Sequence, residues 1–297
     1  MAKTKKTKKE SKLIYVPFII FIAVLALILV LPSIKSPFAQ PSSSLPFMHF
    51  QKVSNQDYAS SPNTVDVYFI SWEGCPYGAT QSWPLYLALS HYGTINATPT
   101  WSDPEPLPTP SSNPPTSPPM PVPSLLFNSF TPNGSVHFHF FYMIGRMFTN
   151  NNSISLPNGT IIPYSGNSIV TLEQQELQKD VPSWVYNLIA KYELNTPFGQ
   201  FPNLADAGNP PHIATALIIT GPKGTWMIIG YDQSVGYAAA YYLATSGFTP
   251  QELYSNVTKG QLPNVTSASF SQIQAVSYIQ DEENVILNII NQAMGTS

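Results

Sequence analysis

The chemistry open to this chain of 297 residues starts from its one cysteine, Cys75, which Pro76 follows directly. Before it, Val65–Ile70 (VDVYFI) has the alternation and β-branched content of a strand. After it, Leu85, Leu89 and Tyr92 recur at helical spacing. Proline suits the first helical position because its missing N–H would be unsatisfied there. Cys75 is thereby placed just before a helix, where free N–H groups and the helix dipole favour a thiolate. Its expected pKa is below the ~8.5 of a free thiol, with Glu73 opposing. A single cysteine excludes an internal disulfide, and only monothiol exchange, completed by an external thiol, remains open to it. The competing reading is a cysteine kept for packing in a fold without redox chemistry.

His137 and His139 stand two apart in a strand and so share a face. They are weak candidates for a metal site, since a third ligand is required and none lies at recognisable spacing. His49, His91 and His212 stand alone and read as surface or core polar residues. The sequence holds no Gly-rich phosphate loop, no G-x-S-x-G and no H-E-x-x-H, and no cofactor is expected. Six Asn-x-Ser/Thr sequons occur, at Asn96, Asn133, Asn151, Asn158, Asn256 and Asn264. Asn151 and Asn158 fall in a polar Asn/Ser/Gly stretch, 150–167, expected to be an exposed loop and the best glycan acceptor.

The elements that would position these residues follow in order. Residues 1–12 form a polybasic cytoplasmic head. Residues 13–31 (LIYVPFIIFIAVLALILVL) carry no charge and match the ~20 residues of a membrane span. The lysines ahead of it place the N-terminus inside and the rest outside. A cleaved signal peptide is the rival, but its apolar core is normally ~7–15 residues with an A-x-A-like site, and Ser36-Pro-Phe-Ala39-Gln fits poorly. From Ser36 onward six basic residues face fifteen acidic ones, which argues against a nucleic-acid partner. Residues 32–60 read as a Ser/Pro-rich stalk.

The main domain is expected over 61–260, with a low-complexity insertion at 99–123 that holds eleven prolines and favours polyproline II. Strands are expected at 94–101, 124–127, 136–144, 213–219 and 225–229, with a hairpin turn at Gly221-Pro-Lys-Gly224. Helices are expected at 172–194, broken at Pro182, at 234–245, and over 269–293 in a C-terminal helical extension, 261–297.

Trp72-Glu73-Gly74-Cys75-Pro76-Tyr77-Gly78 resembles the W-x-x-C-P-Y-C active-site turn of the thioredoxin and glutaredoxin superfamily, with Gly78 at the second cysteine's place. Pro84 is similar to the kink proline of the following helix. The resemblance implies an α/β fold, a thioredoxin-like central mixed sheet flanked by helices, with large insertions. It also implies a catalytic role for Cys75 within a turn made by Trp72, Pro76 and Tyr77. In that superfamily a strand of the type I-P-T faces the cysteine. Ile213-Ala214-Thr215 resembles it, with Ala214 at the proline position, and is preferred because a helix lies on each side. Val122-Pro123-Ser124 keeps the proline and is the alternative.

Taken whole, the chain is similar to an archaeal family known as domain of unknown function 929, which implies no activity. The expected protein is a membrane-anchored, extracytoplasmic, glycosylated thioredoxin-like protein. It would exchange thiols with a partner protein's thiol or disulfide through Cys75. The alternative is a redox-inactive cell-surface binding or scaffold module.

Overall fold

The computed structural model describes residues 45–103, 121–143, 147–149, 153–155, 160–163 and 165–296. Its centre is β2 (Val65–Trp72), buried along its whole length. Its β-branched and aromatic side chains fill both faces, as in a strand covered on both sides. Around it runs a five-stranded mixed sheet in the order β1 (Gln51–Ser54), β10 (Gly224–Ile229), β9 (Ala216–Gly221), β2, β5 (Val136–Met143). β2 pairs with β5 in parallel and with β9 antiparallel. The β9–β10 hairpin turns at Gly221–Gly224, where Gly224 at φ 122° needs glycine's freedom.

Two smaller sheets accompany it. β3 (Gly93–Trp101) and β4 (Pro123–Pro132) form an antiparallel ribbon. β6 (Met147–Thr149), β7 (Ser153–Ser155) and β8 (Ile161–Pro163) form a three-stranded one. The helices are α1 (Pro76–Ser90), α2 (Ser168–Asp180), α3 (Ser183–Ile189), α4 (Ala239–Thr245), α5 (Pro250–Val257) and α6 (Phe270–Met294). A π-helical turn, Ala190–Leu194, continues α3.

Alternation along the strands divides the core in two. Val67, Phe69, Leu217, Ile219 and Ile228 face α1, α4, α5, α6 and the β3–β4 ribbon. Tyr68, Ile70, Ile218, Met227 and Ile229 face α2 and α3. Helix α1 is buried on nearly every side. Its Trp83 Nε1 donates to Pro123 O at 2.7 Å, and its Ser82 Oγ accepts Leu125 N at 3.0 Å, fixing the ribbon to it.

Several boundaries differ from the sequence expectation. Gln51–Ser54, expected in the stalk, is the edge strand β1, because its backbone completes the ladder of β10. The polar stretch 150–167 contributes β7 and β8 rather than only loop. Helix α6 is built into the sandwich against α1, α4 and β9 rather than appended to it. Helix α5 is absent from the sequence expectation, although Thr249-Pro250-Gln251-Glu252 is a capping box with both reciprocal bonds made. No described helix is long and apolar enough to cross a membrane. The expected span, 13–31, lies outside the described residues.

Candidate functional site

Strand β2 ends at Trp72, the chain bends through Glu73 and Gly74, and Cys75 caps the N-terminus of α1. Its backbone is extended (φ −63°, ψ 120°) and its side chain accepts from Gly78 N at 3.4 Å. Sulfur takes the role that Ser or Asp usually plays at such a cap. A second donor comes from across the sheet, where Thr215 Oγ1 donates to Cys75 Sγ at 2.9 Å. Thr215 in turn shares a 2.8 Å hydrogen bond with Ser71 Oγ, which also reaches Trp72 O at 3.1 Å. Cys75 is only 3% exposed.

Of the two segments that could face Cys75, Ile213-Ala214-Thr215 does so. Pro123 meets the middle of α1 instead, its carbonyl accepting from Trp83 Nε1. The 213–215 segment precedes β9 and lacks ladder partners for its first two N–H groups. Buried carboxyls receive them instead: Glu173 Oε2 from Ile213 N at 2.6 Å, and Glu193 Oε2 from Ala214 N at 2.7 Å. Burial pushes Glu173 well above its usual carboxylate value, with Glu193 and Glu176 adding to the shift. Burial likewise pushes Glu193 up to about 8, the Ala214 N–H opposing in part. Burial thus favours the neutral form of both acids, each a tether for the backbone that carries Thr215. Nothing in the sequence pointed to them. They sit in α2 and the π-turn, where isolated Glu reads as surface.

The remaining expected site residues are gathered nearby. Trp72 is buried, with His212 edge-on at 5.8 Å. Burial lowers the His212 pKa from its usual value, the Pro210 carbonyl opposing. Pro76 opens α1 as expected, and Tyr77 packs edge-on against Tyr231 at 5.6 Å. Gly78 leaves no room for a second cysteine, since a Cβ there would collide with Ser71 Oγ and stand 3.0 Å from Thr215 Oγ1. The two hydroxyls fill the space beside Gly78. One flank of the Pro-rich segment meets this turn, Asp103 N donating to Gly74 O at 2.8 Å, and Ser102 N donating to Val122 O at 2.9 Å ties that flank to the other.

His137 and His139 do share a face, and Asp66 is what they meet. Their ring nitrogens lie 3.2 and 3.5 Å from its carboxylate, and His139 stacks on Tyr68. Burial works against ionising Asp66, but hydrogen bonds from His139 and Ser60 outweigh it and hold its pKa below the usual value. Among the described residues no group of three His, Cys, Asp or Glu side chains is arranged to hold a metal. Asn96, Asn133 and Asn264 are exposed. Asn256 is half-buried in α5, its amide donating to Glu252 O at 2.7 Å. Asn151 and Asn158 lie outside the described residues.

No curated protein and no solved structure matches the chain. A family profile does, over residues 49–292, a stretch that takes in β2, the Cys75 turn, the Glu173–Glu193 tethers and nearly all of α6. The chain belongs to the family described as domain of unknown function DUF929.

Proposed function

We propose that this is a thioredoxin-like protein, anchored outside the cell by residues 13–31, whose Cys75 performs monothiol exchange. The observation that carries the reading is that Cys75 Sγ accepts two hydrogen bonds at a helix N-terminus, from Thr215 Oγ1 and Gly78 N. Donors aimed at sulfur favour the thiolate, which is the nucleophile. The fold reading is supported by the order of elements. A strand leads through Cys75 into a helix, further helices follow an insertion, and a β9–β10 hairpin and final helix close the domain.

In the reaction, the Cys75 thiolate attacks one sulfur of a partner's disulfide. A Cys75–partner disulfide forms, and the partner's other sulfur leaves as thiolate and takes a proton from water. An external thiolate then attacks the mixed disulfide and returns Cys75 to its reduced form. Ser71 and Thr215 offer no thiol to shorten that intermediate. Because Cys75 is 3% exposed, exchange requires the turn to open, and its rate follows that opening. Glycans fit the exposed Asn96, Asn133 and Asn264.

A second reading is a redox-inactive binding or scaffold module, favoured by that same burial and by the hydroxyl pair filling the space beside Gly78. Iodoacetamide labelling of the folded full-length protein against pH separates the two. Labelling with a midpoint below ~8.5 supports exchange. A higher midpoint, or labelling only on unfolding, removes it and leaves the binding module.

A further inference from the structure

On the opposite face of the sheet, α1 and α6 bury a second polar cluster that the Cys75 site does not use. Gln81 and Glu282 are fully buried, Tyr278 is 1% exposed and Asp232 5%. Gln81 Oε1 and Nε2, the Tyr278 hydroxyl and both Glu282 carboxyl oxygens have no hydrogen-bond partner. They converge from three elements. Gln81 comes from the middle of α1, Tyr278 and Glu282 from adjacent turns of α6, and Asp232 from the loop after β10. The Gln81 amide and the Asp232 backbone approach the Glu282 carboxyl, and the charges of Glu282 and Asp232 both reach the Tyr278 phenol. Asp232 is itself fixed by Ser234 N, which donates to its Oδ1 at 2.8 Å. The groups facing Glu282 and Tyr278 are thus a carboxylate, an amide and the Tyr231 phenol, with no cation among them.

Buried polar groups are nearly always satisfied, and two buried carboxyls without a positive charge are held there only at a penalty. We infer that this cluster is a binding site for one divalent, oxygen-seeking cation of the calcium class, held by Glu282, Asp232, Gln81 Oε1 and the Tyr278 hydroxyl. Two carboxylates balance a double positive charge. Every donor is a hard oxygen, and the absence of His or Cys turns the set away from zinc or copper. The supply of carboxylate, amide and phenol oxygens from separate elements suits the irregular geometry calcium accepts, and magnesium less so. Gly236 lets the chain close on this place, since a Cβ there would collide with the Tyr278 ring. A cleft of about 160 Å³ lined by Val235, Tyr242, Gln274 and Tyr278 borders the cluster at the Tyr278 ring.

Purified full-length protein, stripped with EDTA, tests this with calcium chloride as the probe and terbium as a luminescent stand-in. Tyr278 and Tyr231 flank the site, so bound terbium should emit on tyrosine excitation, and excess calcium should quench that emission. Calcium at 100-fold its dissociation constant should raise the thermal midpoint by on the order of 5 °C. Glu282→Gln should lose both responses, and Tyr278→Phe should cut the emission at least about tenfold while remaining folded, because its hydroxyl bonds nothing. No emission and no midpoint shift in the wild type would overturn the inference and leave a pocket of buried water. Equal responses in wild type and Glu282→Gln would overturn it too, by placing the cation elsewhere.

Discussion

On the α2–α3 face of the sheet, Glu173 and Glu193 each receive a short hydrogen bond from a backbone N–H, whereas on the α1–α6 face the Gln81 amide and the Asp232 backbone approach Glu282 without closing a hydrogen bond of normal length. All three carboxyls are buried to 1% exposure or less. The difference lies in the backbone around them. Residues 213 and 214 approach β9 before its ladder begins, so their N–H groups need acceptors, and α2 and the π-turn supply carboxyls. Around Glu282 the helix backbones are already paired, the side chains of Gln81 and Tyr278 are as unsatisfied as its own, and the Asp232 backbone only approaches it. A buried acid bonded to backbone holds structure in place. One that faces other unsatisfied oxygens is suited to receiving something from outside.

The largest expected effect is on stability against pH, and it tests how alike the two faces are when no cation is present. Glu193 and Glu282 are both pushed up to about 8 from 4.5, chiefly by burial. The folded state therefore keeps protons that the unfolded chain releases above its ordinary value. Their contribution is fully present below pH 4.5 and is lost as pH rises towards 8. Each group should tilt stability by about 1.4 kcal/mol per pH unit across that window. Urea unfolding from pH 5 to 8 reads the slope. Glu193→Gln and Glu282→Gln should each remove one proton's share, but calcium should remove only the Glu282 share. A flat wild-type profile would break the comparison at its root.

Next in size is deletion of the carboxyls. Glu173→Leu or Glu193→Leu strands a buried N–H and should cost about 1–3 kcal/mol. Glu282→Leu breaks no hydrogen bond and should be neutral or stabilising at pH 8 in EDTA. Denaturant midpoints compare the three directly, and an equal loss at all three would mean that Glu282 has a partner after all.

These faces were unevenly legible in the sequence. Strand β2, the Cys75 cap and the hairpin at Gly221–Gly224 could be read because short-range rules fix them: alternation, proline at the first helical position, glycine at a turn. Thr215 could be reached only through a resemblance, and the structure places its hydroxyl on the cysteine sulfur. Gln81, Glu173, Glu193 and Glu282 gave no signal. Helix α1 is buried nearly all round, so no polar stripe separates Gln81 from an exposed glutamine. The three glutamates lie on helices that look amphipathic, where burial depends on which element arrives from far along the chain. Strand β1 was hidden likewise, since Gln51–Ser54 is too short and polar to show before β10 is there to pair with it.

A smaller perturbation asks whether the Cys75 face is as fully satisfied as it looks. Gly78→Cys places a Cβ against Ser71 Oγ, and overpacking of this kind costs about 1–3 kcal/mol. Adding Ser71→Ala removes the colliding oxygen and should recover most of that loss, while giving Cys75 a neighbouring thiol. Thermal unfolding of the single and double variants checks the order. If the single variant matches wild type, the turn is looser than the hydroxyl pair implies.

The smallest effect is expected from Thr215→Val, which keeps the shape of the side chain and removes the 2.9 Å donor to Cys75 Sγ. The backbone should stay where Glu173 and Glu193 hold it, so stability should change little beyond the loss of the Ser71 bond. A hydrogen bond of this kind contributes about 1 kcal/mol, and 1.36 kcal/mol is one pH unit. The iodoacetamide midpoint of Cys75 should therefore move up by less than about one unit, with Gly78 N and the helix terminus retained as donors. The outcome separates two roles for the threonine. A higher midpoint at unchanged stability means that its hydroxyl serves the thiolate. Lost stability at an unchanged midpoint means that it serves the packing of Ser71, and monothiol exchange then loses its main structural support.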